Sequence, residues 1–232
     1  MSWHAKPSGA YAISSTEGTD NINEYYNYFI STTNKNNIVG QLCNVFAESG
    51  LNPWRWQGDT VNLSAGYGLY QFTEASAYIN LTGIPGHSPN MSTTEVQGGN
   101  VSDAGAQMYV FINDTLSKWG TRCWRRYWNE GDTWEGAPLY PDLYAKRTSI
   151  LNTYGDGNSL SMAQFFNINN TEDACFAFLA CYEGPRYPNL SERMQYAQAI
   201  SDAISGPTPP TPHGPVPIGG IRDLLRRQII FC

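Results

Sequence analysis

Charge is scarce in this 232-residue chain: Asp, Glu, Lys and Arg together make up 15% of it, and the formal net charge is −6. A nucleic-acid footprint needs a concentrated basic face, and Arg122, Arg125 and Arg126 are too few to form one, so no nucleic-acid partner is expected. Histidine is scarcer still. His4, His87 and His213 lie far apart in sequence, and Cys43, Cys123, Cys175, Cys181 and Cys232 contain no CxxC pair, so neither a metal nor another cofactor is expected. Five cysteines cannot all pair within one chain. Cys175 and Cys181, six apart on an expected helix, are badly placed for a disulfide, so a reduced compartment is the simpler reading. No apolar run approaches the roughly 18 residues of a membrane span, and no basic stretch followed by an apolar one opens the chain, so neither a span nor a secretory signal is expected.

Aromatic residues are plentiful. They make up 13% of the chain, with 15 Tyr and 7 Trp, so a surface short of charge must be covered by Asn, Ser, Thr, Gln and Gly. Flat rings stack on pyranose faces and neutral amides bond to sugar hydroxyls, a composition that suits sugar binding and also suits tightly packed structural proteins.

The chain is organised around residues 37–73. Ile38, Val39, Leu42, Val45 and Phe46 fall on the buried stripe of a helix that Gly50 and Pro53 terminate. Glu48 sits in its last turn, at the edge of that stripe, with Trp54 and Trp56 following at once. The helix C-terminus and the indoles both favour the protonated form of a carboxylate so placed, and a carboxylic acid can give its proton to a leaving oxygen. A helix-end Glu capped by nearby amides is the plainer alternative.

Before this stretch, residues 1–19 read as an extended lead-in, and Asp20 is expected to cap a helix with Ile22, Tyr25, Tyr26, Phe29 and Ile30 on one face. After it, Gln57 to Gly68 form a small sheet or a loop, and Thr73 opens a helix running to about Leu81. A loop over 86–100 leads to a helix from Ser102 to about Arg126, with Trp119, Trp124 and Trp128 crowding its end. Residues 129–158 read as an irregular surface excursion. Thr171, Glu172 and Asp173 open a helix that is apolar nearly all round and ends at Tyr182-Glu183-Gly184-Pro185. Asn189 and Glu192 form a capping-box pattern for a closing helix lined by Met194, Ala197, Ile200 and Ile204. The run PTPPTPHGPVP over 207–217 is a stiff linker, and 218–232 is a short mixed segment. Its Ile221, Leu224, Leu225, Ile229, Ile230 and Phe231 fit docking on a partner protein, with membrane contact or a disordered end left open.

Three pieces now line up: AESGLNP at a helix end, AGYGLYQFT some twenty residues later, and FLACYEGP far downstream. Together they resemble the lysozyme-like superfamily, and more narrowly the phage tail lysozyme family found in the tail-knob proteins of phi29-like phages. The resemblance implies a mainly α (α+β) protein, a lysozyme-like helical domain with a small sheet or loop lobe over 20–206, carrying an insertion at about 120–158. By the same resemblance Glu48 matches the catalytic acid, Gly66, Gly68, Leu69 and Gln71 match the segment lining the cleft, and Tyr182 matches the tyrosine behind the catalytic centre. Glu183 stands where transglycosylases carry Asn, which favours hydrolysis and a tail lysozyme. No zinc-endopeptidase pattern follows the linker, so cross-linking peptides are expected to stay uncut.

The implied reaction is cleavage of the β-1,4 bond between N-acetylmuramic acid and N-acetylglucosamine in host peptidoglycan, during infection and from the virion tail. It needs an acid, Glu48, and a second group. Asp59, in the polar loop eleven residues on, is the first candidate for that group and Glu183 the second; a turn-forming Asp and a Glu paired with Arg186 or Arg193 are the plainer readings. Gln71 is placed to bond an acetamido group or to tie its own loop. Trp54, Tyr67, Trp56 and Tyr70 are candidates to stack on sugars, with at least two of them expected in the core. A free endolysin, a lytic transglycosylase, and a catalytically inactive tail or glycan-binding protein are the alternatives. In the tail reading, residues 218–232 contact other tail proteins.

Overall fold

The computed structural model describes residues 3–82, 102–120, 133–134, 137–138, 141–184 and 189–204. The protein is mainly α. Its described helices are α1 (Thr16–Phe29), α2 (Lys35–Ser49), α3 (Ala75–Thr82), α4 (Ser102–Ile112), α5 (Pro141–Tyr154), α6 (Met162–Phe165), α7 (Thr171–Phe178), α8 (Leu190–Met194) and α9 (Ala197–Ala203). A two-stranded antiparallel ribbon pairs β1 (Thr133–Trp134) with β2 (Ala137–Pro138). None of the described helices is long and apolar enough to cross a membrane.

Two compact units divide the chain. One comprises residues 1–24, 48–116 and 205–232, and the other residues 25–47 and 117–204. In the second, Ile38, Val39, Leu42 and Val45 of α2 are buried as their spacing predicts. Unforeseen is a polar face on the same helix. Asn37, Gln41 and Asn44, also at helical spacing, are fully buried. The Tyr25 hydroxyl donates to Gln41 Oε1 at 2.8 Å, Gln41 Nε2 donates to Asn37 Oδ1 at 2.7 Å, and Asn37 Nδ2 donates to the Phe165 carbonyl at 2.7 Å. Asn44 Nδ2 donates to the Cys175 carbonyl at 3.1 Å, while its Oδ1 accepts from Arg193 Nη1 at 3.0 Å. Buried amides are tolerable only when satisfied in this way. Where α2 crosses α7, the backbones meet at Gly40: a methyl there would lie 2.6 Å from the Thr171 carbonyl oxygen and 2.7 Å from the Cys175 nitrogen.

Several boundaries differ from the sequence reading. The first helix opens at Thr16, because Ser15 Oγ accepts the Gly18 amide proton at 3.0 Å, while Asp20 pairs with His4 Nε2 at 2.9 Å. The helix expected to reach about Arg126 ends at Ile112, where Asn113 Nδ2 turns back onto the Tyr109 carbonyl and Asp114 takes φ 45°. The excursion contains regular structure in α5, which buries Ile150 and Leu151 and ties Lys146 to Glu172 at 2.9 Å and Asp173 at 2.8 Å. The closing helix is two helices, broken at Gln195 and Tyr196. Its capping box does not form: Asn189 spends its side chain on Glu192 Oε2 and on Arg193 Nε. Thr171 follows an Asn170 cap, so α7 opens as expected. The loop 86–100, Trp124, Trp128, the linker 207–217 and the segment 218–232 lie outside the described residues.

Candidate active site

Glu48 is half-buried in the last turn of α2. Behind it the chain reverses through two left-handed residues, Gly50 at φ 58° and Leu51 at φ 61°. Glycine is required at the first, because a methyl would come within 2.1 Å of the Ala10 Cβ. The lead-in therefore packs directly on the turn. The Tyr11 amide donates to the Gly50 carbonyl at 2.8 Å, and Asn21 Nδ2 donates to the Leu51 carbonyl at 2.8 Å and to the His4 carbonyl at 2.9 Å. Asn52 is the hub. Its Nδ2 donates to the Lys6 and Gly9 carbonyls, both at 2.9 Å, and its Oδ1 accepts the Lys6 amide at 3.3 Å and the Trp54 amide at 3.1 Å.

Asp59 lies on the same lead-in. Its Oδ1 accepts the Gly9 amide proton at 2.8 Å and stands 3.5 Å from Arg55 Nε. The residues around it form a short 3₁₀ turn, Gln57–Asp59, and one antiparallel bridge joins Trp56 to Tyr67. The segment foreseen as sheet or loop is thus a loop with a single bridge.

The AGYGLYQFT strap folds against residues 55–57. The Gly68 amide donates to the Arg55 carbonyl at 2.8 Å and the Gln57 amide to the Gly66 carbonyl at 2.9 Å. Gln71 is half-buried at φ 43°, with Nε2 donating to the Arg55 carbonyl at 3.1 Å and the Gly68 carbonyl at 2.9 Å. Its amide nitrogen ties the loop to itself. Trp54, Trp56, Tyr67 and Tyr70 are each no more than 1% exposed, so all four rings are core in this structure. The burial follows from ring on ring: Trp56 packs on Tyr67 at 4.7 Å and Tyr70 stacks on Phe111 at 4.8 Å.

Beneath the strap lies a carboxylate that the sequence reading passed over. Asp103, in the first turn of α4, is fully buried; it accepts from Tyr67 Oη at 2.7 Å and from the Tyr78 hydroxyl. Burial pushes its carboxyl up to about 6, against the opposing pull of the Tyr78, Tyr67 and Gln107 donors. Burial, then the Asp103 charge, pushes the Tyr78 phenol well above its ordinary value. Gln107, one turn on, is also fully buried, accepting the Leu69 amide at 2.7 Å and donating to the Pro53 carbonyl at 2.7 Å. The available signal was two polar residues four apart in an otherwise apolar helix, a spacing that puts both on one face.

Tyr182 and Glu183 belong to the other unit. There α7 runs on into a widened π turn, Leu179–Glu183, closed by left-handed Gly184 whose amide donates to the Leu179 carbonyl at 2.9 Å. Such turns recur at functional sites. Tyr182 is buried on Phe178 at a ring separation of 5.3 Å, and Glu183 is half-buried at the end of the turn. Among the described residues no three His, Cys, Asp or Glu side chains gather as a metal site requires.

Comparison with known proteins places this geometry in a family. Over 70 residues the chain is 41% identical to Morphogenesis protein 1 of Bacillus phage B103, a stretch covering 29% of this chain and 19% of that relative. The chain therefore matches under a fifth of the relative's length. A family model described as phage tail lysozyme matches residues 20–204. With that match spanning most of its length, the chain belongs to the phage tail lysozyme family.

Proposed function

We propose that this protein is a virion-associated glycosidase that cuts the β-1,4 bond between N-acetylmuramic acid and N-acetylglucosamine in host peptidoglycan during infection. The observation that carries the reading is the place of Glu48 within a tail-lysozyme chain: a half-buried carboxyl at the end of α2, backed by a turn whose Gly50 and Leu51 carbonyls are both hydrogen-bonded. A carboxyl held on so fixed a support can meet a glycosidic oxygen without reorganising.

Cleavage requires an acid on that oxygen and stabilisation of an oxocarbenium-like centre. Glu48 donates the proton. For the second function Asp59 and Glu183 are the two candidates, and Asp59 Oδ1 already accepts the Gly9 amide and faces Arg55. The acidic character of Glu183, where transglycosylases carry Asn, favours hydrolysis. Gln71 shapes its loop more than it grips sugar, because its amide is already committed to the strap. The name of the B103 relative favours a component of the particle over a free endolysin, and residues 218–232 serve as the dock to other tail proteins.

Digestion of purified peptidoglycan by wild type and by Glu48→Gln, followed by mass and end-group analysis, tests the reading. Glu48→Gln should release reducing ends about 10²–10⁴-fold more slowly. Wall binding without new reducing ends from wild type would instead make this a scaffold, and 1,6-anhydro ends would replace hydrolysis by transglycosylation. Antibody detection of the chain in purified virions separates particle from endolysin.

A further inference from the structure

Gln107 itself was not singled out from sequence, yet it is hydrogen-bonded to both motif segments of the first unit. Its Oε1 accepts the Leu69 amide of the strap at 2.7 Å, and its Nε2 donates to the carbonyl of Pro53, which follows the Glu48 turn, at 2.7 Å. The same side chain donates to Asp103 one turn earlier on α4. A fully buried amide with every polar position engaged has one orientation open to it. Gly68 shows how closely the strap is drawn in. At φ 81° it sits so near that a methyl would lie 2.4 Å from Gln107 Oε1.

We infer that Gln107 is a positioning residue that sets the register between the turn after Glu48 and the Gly66–Phe72 strap. Asp103 anchors the same strap through Tyr67, so α4 holds it at two points one helical turn apart. The argument rests on the glycosidase reading only where it concerns turnover; the register itself is a property of the fold. Small losses of register at an acid cost rate more than affinity, because substrate still binds while the reacting geometry is reached less often.

The test uses the full chain with soluble uncross-linked glycan strands, and hydrogen exchange at the Leu69 amide. Gln107→Met, close in shape and without polar atoms, should speed Leu69 exchange by about tenfold or more and lower kcat by up to about 100-fold, with KM nearly unchanged. Gln107→Glu adds a signature that mere loss of packing lacks. Protonated Glu can accept from Leu69 and donate to Pro53 as Gln does, so its kcat relative to the matching Gln107 protein should rise as the pH falls from about 8 to about 5. The rise should appear both in wild type and in an Asp103→Asn background that removes the neighbouring carboxylate. Should Gln107→Met not fold, that ratio decides. Wild-type exchange and kcat in Gln107→Met, or a ratio independent of pH in Gln107→Glu, would overturn the inference. A wild type that releases no reducing ends would defeat the glycosidase reading, and Leu69 exchange alone would then judge the clamp.

Discussion

The Tyr67 hydroxyl donates to Asp103 Oδ2 at 2.7 Å, joining the strap of the candidate site to a carboxylate with no exposed surface. That carboxylate makes stability depend on pH. In the unfolded chain it titrates near its ordinary 3.8, and in the fold at about 6, so between those values the folded state holds the extra proton. Its contribution is therefore complete below about 4, declines as the pH rises through about 6 and levels off above; the gap corresponds to something on the order of 3 kcal/mol. Urea unfolding from about pH 4 to about pH 7 should show wild type losing stability on rising pH relative to Asp103→Asn. Parallel profiles for the two proteins would show that Asp103 does not titrate in this range.

Gly40 lies where α2 meets the backbone of α7, and no side chain there can move aside to admit a methyl. Gly40→Ala should cost about 1–3 kcal/mol, lowering the melting temperature by roughly 2–10 °C, despite alanine's better helix propensity. An unchanged or raised melting temperature would show that the helices separate more easily than their contact implies.

The Asn52 side chain makes four hydrogen bonds, three of them to Lys6 and Gly9. Asn52→Ala should destabilise by about 1–3 kcal/mol, since it leaves the buried Trp54 amide and the half-buried Lys6 and Gly9 peptide groups unanswered. It should also loosen the first residues before the rest, so chymotryptic cleavage after Tyr11 should accelerate well ahead of global unfolding. Equal acceleration at every site would point to a uniform loss of stability.

Asp59→Asn separates scaffold from chemistry. If Asp59 serves Gly9 and Arg55, the change should cost about 1 kcal/mol and leave glycan cleavage within about tenfold of wild type. A fall of about a thousandfold in kcat at an unaltered melting temperature would restore Asp59 as the second catalytic carboxylate.

Sequence revealed those parts of the fold that depend on local signals. The stripe Ile38 to Phe46 and the terminating Gly50 fixed α2 and the position of Glu48, and the all-apolar run 174–181 announced a central helix. It misled where polar residues were buried. The burial of Asn37, Gln41 and Asn44 was not foreseen, because nothing local reveals that Tyr25, Phe165, Cys175 and Arg193 will come to satisfy them. Pattern also failed for α5, whose few buried positions, Ile150 and Leu151, are adjacent and give no stripe. Motif matching singled out Glu48, Tyr67, Gln71 and Tyr182 as candidates. At least two of Trp54, Trp56, Tyr67 and Tyr70 were expected in the core, and all four are there; which ones would be was not legible, since a ring in a loop looks the same whether it faces sugar or protein.

Residues 4–11 precede the family match, which begins at 20, yet their main chain is bonded to the turn that follows Glu48. A recombinant module trimmed at the match boundary would leave the Gly50 carbonyl and the Asn52 amide without the peptide groups they now hold. Anyone grafting this domain onto another protein should fuse at the far end and spare the first dozen residues, because the matched stretch leaves out the segment that braces the turn after Glu48.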